Sequence, residues 1–270
     1  MYLEFYNLAV QPFSITPDPR FLFFSRRHRE AWEHMVFGIS QRTGFIQITG
    51  EVGAGKSTLC RALLEELGDA VDTALILNPV MTGIQLLRSI LRELGLDDRG
   101  NDRVRLTERL NEHLLERARA EHDVVLVIDE AQDMSPELLE QVRLLSNLET
   151  DDRKLLQIVL MGQPELKRML EGDSLRQLAQ RITVRYHLEP IDRSEVEAYV
   201  LHRLRVAGSN GRPSFTPAAY RAIYRHSQGV PRLINAVCDK TLLCGYVEGR
   251  DRLGYWQVRR AARELGGRPS

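Results

Sequence analysis

At 270 residues, with 43% hydrophobic and 27% charged side chains, the chain can bury a sizeable core and is too apolar to be disordered or fibrous. Its formal net charge of +0 hides an uneven spread: residues 181–270 carry 16 Lys+Arg against 8 Asp+Glu, a basic third suited to nucleic acid, phosphates or an acidic neighbour, or to a solvated helical surface. Three cysteines (Cys60, Cys238, Cys244) without metal-ligand spacing, no signal peptide and no apolar run near the ~18–20 residues of a membrane helix predict a soluble, cytoplasmic protein with buried free thiols.

The opening stretch FYNLAVQPFSITPDPRFLFF is rich in aromatics and proline. It reads as an extended, packed arm, because Phe13, Phe21, Phe23 and Phe24 need burial. SRRHREAWEHMVFGIS follows with helical spacing, Ser25 as cap and Trp32, Met35 and Val36 on one face. Residues 1–43 are expected to form this arm and helix, packed on the core that follows.

Short apolar runs then alternate with amphipathic helices. FIQIT, ALIL, VVLVI, LLQIVLM and ITVRYHL are the expected strands, and segments such as TLCRALLEEL, VRLTERLNEHLLERARA and PELKRMLEGDSLRQLAQ the helices between them. Near-continuous apolar strands in this alternation predict an α/β core with a five-stranded parallel sheet over residues 44–190, covered on both faces. After Pro190 the strand patterns stop, and four helical patterns predict a smaller all-helical domain over 191–266. The final residues, 267–270, are expected to be disordered.

GEVGAGKST begins at the end of the first strand and opens the next helix, as a phosphate-binding loop requires. Its glycines, Gly50, Gly53 and Gly55, let the backbone curl so that N–H groups point inward at a phosphate, and the helix start adds its positive end. Lys56, one of only four lysines in an arginine-dominated chain, reaches the β- and γ-phosphates, and the Ser57 hydroxyl can ligate Mg²⁺. VVLVIDEAQ places Asp129 and Glu130 at the carboxyl end of a central strand, where ligands of open α/β sheets bind. Asp129 is suited to hold Mg²⁺ through water, and Glu130 to orient or deprotonate an attacking water. Acidic residues merely starting a helix are the plainer reading of that pair. Asn78 and Gln163 also sit at strand ends, and either can simply cap the following turn or helix.

Arg232 raises a different question. It follows Pro231 in the first turn of a helix, where a cation is disfavoured by roughly 0.3–1 kcal/mol. Gly229 ends one helix and Pro231 suits the first turn of the next. The corner so made aims Arg232 toward the phosphates that Lys56 would hold; otherwise it is an exposed arginine in a turn.

Taken in order, these motifs resemble an AAA+ ATPase with a P-loop NTPase core and a helical lid. PFSITPDPRF, HREAWEHMVFGI, GFIQITGEVGAGKSTLCR, IDEAQDMSPELLEQVRLLSNLET, LLQIVLMGQPEL and GVPRLIN are similar to the general secretion pathway protein A family, the ExeA-like ATPases. That family includes ATPases associated with exosortase and exopolysaccharide systems. The resemblance runs from Phe5 to Tyr246. It implies that Gly50, Glu51, Val52, Gly53, Ala54, Gly55, Lys56, Ser57 and Thr58 form Walker A, and Asp129 and Glu130 Walker B, for ATP and Mg²⁺. It further implies Gln163 as sensor of the γ-phosphate, Asn78 as the residue holding the catalytic glutamate inactive, and Arg232 as the lid's sensor arginine. An arginine finger for a neighbouring subunit falls among Arg176, Arg181 and Arg185, with Arg181 favoured for its helix–strand junction.

The implied function is ATP hydrolysis coupled to self-assembly and to a membrane-associated secretion or export partner, at the inner surface of the cell envelope. Relatives of this kind continue into a membrane helix and a peptidoglycan-binding region, and neither pattern occurs within these 270 residues. The second reading is an ATP-dependent DNA-binding regulator of the TniB and MuB transposition type, on the strength of the basic C-terminal third.

Overall fold

Strands form where Val, Ile and Leu cluster, and the structure, a computed structural model, describes residues 1–150 and 153–266. The expected tail at 267–270 lies outside the described residues. In chain order the elements are α1 (Tyr2–Tyr6), α2 (Arg26–Ser40), β1 (Phe45–Gly50), α3 (Lys56–Leu67), β2 (Val71–Ile76), α4 (Gly83–Glu93), α5 (Arg103–Arg119), β3 (Asp123–Ile128), α6 (Pro136–Leu145) and β4 (Gln157–Gly162). They continue with α7 (Pro164–Leu170), α8 (Arg176–Arg181), β5 (Ile182–Leu188), α9 (Val196–Val206), β6 (Ser214–Phe215), α10 (Pro217–Ser227), α11 (Pro231–Val247), β7 (Arg252–Leu253) and α12 (Tyr255–Glu264). Contacts divide them into two compact units.

The first unit, Glu30–Gly50 with Cys60–Leu188, contains a parallel sheet in the order β2-β3-β4-β1-β5. The three inner strands are buried almost throughout, whereas edge strand β5 alternates between buried and exposed residues. That is the difference expected between strands covered on both faces and a strand at the sheet's margin. Ile46, Val125, Leu126, Ile128, Ile158 and Leu160 are fully excluded from solvent. Local chemistry sets the helix starts: Thr82 and Gln85 form a capping box, Asp102 caps α5, and Ser135 caps α6 with Pro136 at its first position. Gly50 ends β1 against β5, where an added Cβ would meet the Leu188 carbonyl oxygen at 2.7 Å.

The single helix expected over 164–180 is broken. α7 stops at Leu170, a 3-10 turn takes Asp173–Leu175, and α8 restarts at Arg176. Gly172 adopts extended backbone at the break, and Leu170, Leu175 and Leu178 all stay buried. In α2 the buried stripe is Ala31, Met35 and Ile39, spaced four residues apart; Val36, expected beside Met35, is 37% exposed.

The second unit joins Met1–Arg29, Glu51–Leu59 and the chain from Glu189 onward. Its core packs Tyr6, Leu8, Phe13 and Phe21 among Val196, Tyr199, Val200, Ile223, Ile234 and Cys238. The arm expected to pack on the α/β core therefore buries its aromatics among the C-terminal helices, which offer an apolar face without strands. Phe23 packs at the margin of this core, and Phe24 remains 39% exposed. Nor is the C-terminal part wholly helical: β6 and β7 pair in parallel through Ser214–Arg252 and Phe215–Leu253. All three cysteines are buried and free, and burial pushes each thiol pKa upward.

Arg203 fastens the arm. It is 7% exposed, its Nε donates to the Pro12 carbonyl at 2.6 Å, and its other nitrogens reach the Ser14 carbonyl and Tyr199 hydroxyl at 3.2 Å. Its guanidinium also lies 4.8 Å from the centre of the Phe21 ring, a favourable cation–π distance. Removing it would leave buried carbonyls without donors, at about 1–3 kcal/mol each. Arg203→Ala should lower unfolding free energy by about 3 kcal/mol, read as a lower urea midpoint at an unchanged slope.

Candidate functional site

The phosphate-loop sequence takes a shape that two of its glycines permit. Gly53 has φ 78° and Gly55 φ 101°, left-handed values that strain residues with a Cβ. Ala54 donates its N–H to the Glu51 carbonyl at 3.1 Å, and Leu59 donates to the Gly55 carbonyl at 2.9 Å, tying the loop into the first turn of α3. Lys56 is only 6% exposed, and its ammonium folds back onto the Glu51 carbonyl at 3.1 Å.

Both glycines are also close-contact points. An added Cβ on Gly53 would lie 2.4 Å from the Cβ of Arg232, and one on Gly55 would lie 2.8 Å from Nε2 of His28. Arg232 donates its backbone N–H to the Gly53 carbonyl at 3.2 Å. The corner preceding it behaves as its residues require. Gln228 and Gly229 are left-handed, Val230 takes the N-cap position of α11 without a side-chain bond, and Pro231 occupies the first turn. Gly229 fits because a Cβ would strike the Ile191 carbonyl oxygen at 2.1 Å, while Ile191 donates its N–H to the Gly229 carbonyl at 2.9 Å. The arginine that is misplaced by helix electrostatics thus rests on the phosphate loop.

His28 is the loop's other support, and the sequence assigns it no role. It is 2% exposed, with Nδ1 2.7 Å from the Ser25 hydroxyl and Nε2 3.0 Å from the Ala54 carbonyl. A carbonyl only accepts, so Nε2 carries the proton and the Ser25 hydroxyl donates to Nδ1. Ser25 also caps α2 by accepting the His28 backbone N–H at 3.3 Å. Burial pushes the imidazole pKa down to about 4, against the opposing hydrogen bond to Ala54.

In the sheet-bearing unit, Asp129 follows β3 and is 4% exposed. Its N–H bonds the Ile76 carbonyl at 2.8 Å, and its Oδ1 accepts the Glu130 N–H at 2.9 Å. Glu130 is left-handed at φ 52°, ψ 38°, a conformation that costs a residue with a Cβ about 1–2 kcal/mol. Its Oε2 accepts from Gln132 at 2.8 Å and from Gln163 at 3.3 Å. The Gln163 side chain therefore does not cap α7, the plainer of its two sequence readings, but meets Glu130.

Asn78 does otherwise. It is exposed, and its Oδ1 accepts the Val80 N–H at 3.4 Å in a local turn. Among the described residues its side chain has no hydrogen bond to Glu130, contrary to the role the resemblance implies. The three arginines near β5 also separate. Arg181 donates to the Ser146 hydroxyl at 2.8 Å, and Ser146 is 2% exposed. Arg185 bonds the Ala179 carbonyl. Arg176 is exposed, and among the described residues its side chain forms no hydrogen bond or ion pair. Among the described residues no helix is long and apolar enough to cross a membrane.

Comparison with known proteins agrees with this architecture. A family model described as an AAA domain matches residues 39–170. The fold is similar to that of Cdc6p from Pyrobaculum aerophilum, at a TM-score of 0.74 and 18% identity over 96% of this chain and 72% of that one. It is also similar to the ORC2 protein of Aeropyrum pernix, at 0.64 and 19% over 88% and 66%, and to the RuvB Holliday junction branch migration motor of Thermotoga maritima, at 0.60 and 17% over 88% and 69%. The fold is that of the AAA+ P-loop proteins. The sequence is similar to that of general secretion pathway protein A of Aeromonas hydrophila, at 46% identity over 268 residues. The match takes in 99% of this chain and spans about half, 49%, of that relative.

The His28 environment has a sign that can be checked. A folded pKa near 4 against the ordinary 6.5 means that the unfolded chain binds the proton more readily. The stability at stake is fully present above pH 6.5 and is lost as pH falls toward 4. Between pH 7 and pH 5 the loss due to this group should be about 2 kcal/mol. Urea unfolding at the two pH values should show a fall smaller by that amount in His28→Gln.

Proposed function

We propose that this chain binds and hydrolyses ATP with Mg²⁺, assembles with copies of itself, and uses the cycle to drive assembly of a secretion or export system at the cell envelope. The observation that carries the reading is the loop of residues 50–58, with Gly53 and Gly55 left-handed and Lys56 drawn over it at the start of α3. Such a loop suits a polyphosphate, whose charge the helix start and ammonium offset. Ser57 and Asp129 offer the hydroxyl and carboxylate oxygens that a hard cation such as Mg²⁺ takes. When bound, the ion would offset charge on the phosphates.

Each residue then has a task. Lys56 holds the β- and γ-phosphates, and Arg232 reads the nucleotide from the lid. Glu130 orients water and accepts its proton, while Gln163 fixes the carboxylate and senses the γ-phosphate. Arg176 is the finger we favour over Arg181, because Arg181 is spent on Ser146 whereas Arg176 is exposed and uncommitted. The envelope role rests on the 46% identity to general secretion pathway protein A.

Glu130→Gln should bind ATP with near-normal affinity while turnover falls by about 10² or more; equal turnover in both proteins would remove Glu130 from catalysis. A finger acting between subunits makes a further demand. Arg176→Ala should lose about 10³-fold in rate, and mixing it with Glu130→Gln should restore activity. Mixed assemblies would pair an intact glutamate with a neighbour's intact arginine. Additive activities in the mixture would exclude an arginine supplied from outside the subunit.

A further inference from the structure

Gln132 is the residue near Glu130 to which neither motif nor resemblance assigns a task. It lies two residues beyond Glu130, in the 3-10 turn Ala131–Asp133 that follows β3. Both ends of its side-chain amide are used. Nε2 donates to Oε2 of Glu130 at 2.8 Å, and Oε1 accepts the backbone N–H of Gln163 at 2.9 Å. Gln163 in turn donates its own side-chain amide to the same Glu130 oxygen at 3.3 Å. Three residues at the ends of two neighbouring strands, β3 and β4, thus close a ring of hydrogen bonds.

The ring depends on the residue before Gln163. A Cβ on Gly162 would lie 2.8 Å from Oε1 of Gln132, so glycine leaves the space through which the amide reaches across. Glu130 itself sits on left-handed backbone, and hydrogen bonds to its carboxylate help to hold that conformation.

We infer that Gln132 is a positioning residue that clamps the Glu130 carboxylate to the end of β4, setting the distance between the base and Gln163. The inference rests on the ATPase reading above for the task of Glu130. A glutamine suits this place because it donates at one end and accepts at the other. Alanine does neither, and glutamate only accepts. With Oε2 engaged by two amides, the carboxylate is held, and the other oxygen keeps a fixed direction with it. Asn78, expected to govern the glutamate, is bonded locally to Val80 instead, so control of Glu130 passes to Gln132.

The test uses the full chain with Gln132→Ala and Gln132→Glu beside wild type and Glu130→Gln. Two readouts are taken: backbone amide hydrogen exchange at Gln163 by ¹⁵N NMR without nucleotide, and kcat set against ATP affinity. Gln132→Ala should speed exchange at Gln163 by about tenfold and lower kcat by about tenfold or more, with ATP affinity kept within about threefold. Gln132→Glu keeps the acceptor for the Gln163 N–H but opposes Glu130 with a like charge, so exchange should stay slow while kcat falls. A purely structural role would not separate the two readouts in this way. Unchanged exchange in Gln132→Ala, or wild-type kcat in both variants while Glu130→Gln is inactive, overturns the inference. If wild type hydrolyses no ATP, the ATPase reading fails separately, and exchange at Gln163 alone decides whether the clamp exists.

Discussion

Two missing Cβ atoms hold the most consequential part of this molecule together. Gly53 and Gly55 let the backbone turn into left-handed conformations, and the same absence lets other chain segments touch the loop. The stem of Arg232 lies against Gly53, and the imidazole of His28 against Gly55. A free glycine-rich loop would lose much conformational entropy on ordering. Here the Gly53 carbonyl accepts from the Arg232 N–H and the Ala54 carbonyl from His28. Two carbonyls so engaged restrict the peptide planes, and with them the directions of the N–H groups that would meet a phosphate.

The same economy governs the acidic part of the site. Gly162, like Gly53, leaves room for a side chain from elsewhere, there Gln132. In both places a glycine makes room for a side chain from elsewhere in the chain. The left-handed Glu130 is then held by the side-chain amides of Gln132 and Gln163.

What was legible in the sequence is what short-range rules determine. The strands follow from clustered apolar residues, and the phosphate loop from glycine spacing between a strand and a helix. The Arg232 corner follows from Gly229 and Pro231. What was hidden depends on residues far apart in the chain. Nothing local in HREAW tells that His28 would lose its charge to burial and bond a carbonyl 26 residues on. Nothing in DEAQ distinguishes a solvent-facing glutamine from one bridging two strand ends. The aromatic arm announced that it needed burial but not where, because an apolar surface of either unit would satisfy Phe13 and Phe21. The break at Gly172 was hidden because a lone glycine inside a helical pattern is tolerated and the apolar residues on both sides stay buried.

The supports of the phosphate loop have an order in time. His28 precedes the loop by about two dozen residues, and Arg232 follows it by nearly 180. A chain emerging from the ribosome can pair the strands through Leu188 while α11 is still unmade. At a synthesis rate of about 5–20 residues per second, the loop spends seconds exposed with only its first support. The helix that carries Arg232 completes what the first fifty residues began, so a nascent chain acquires its sheet well before its finished phosphate loop. Until α11 is made, the loop lacks the Arg232 N–H that engages the Gly53 carbonyl.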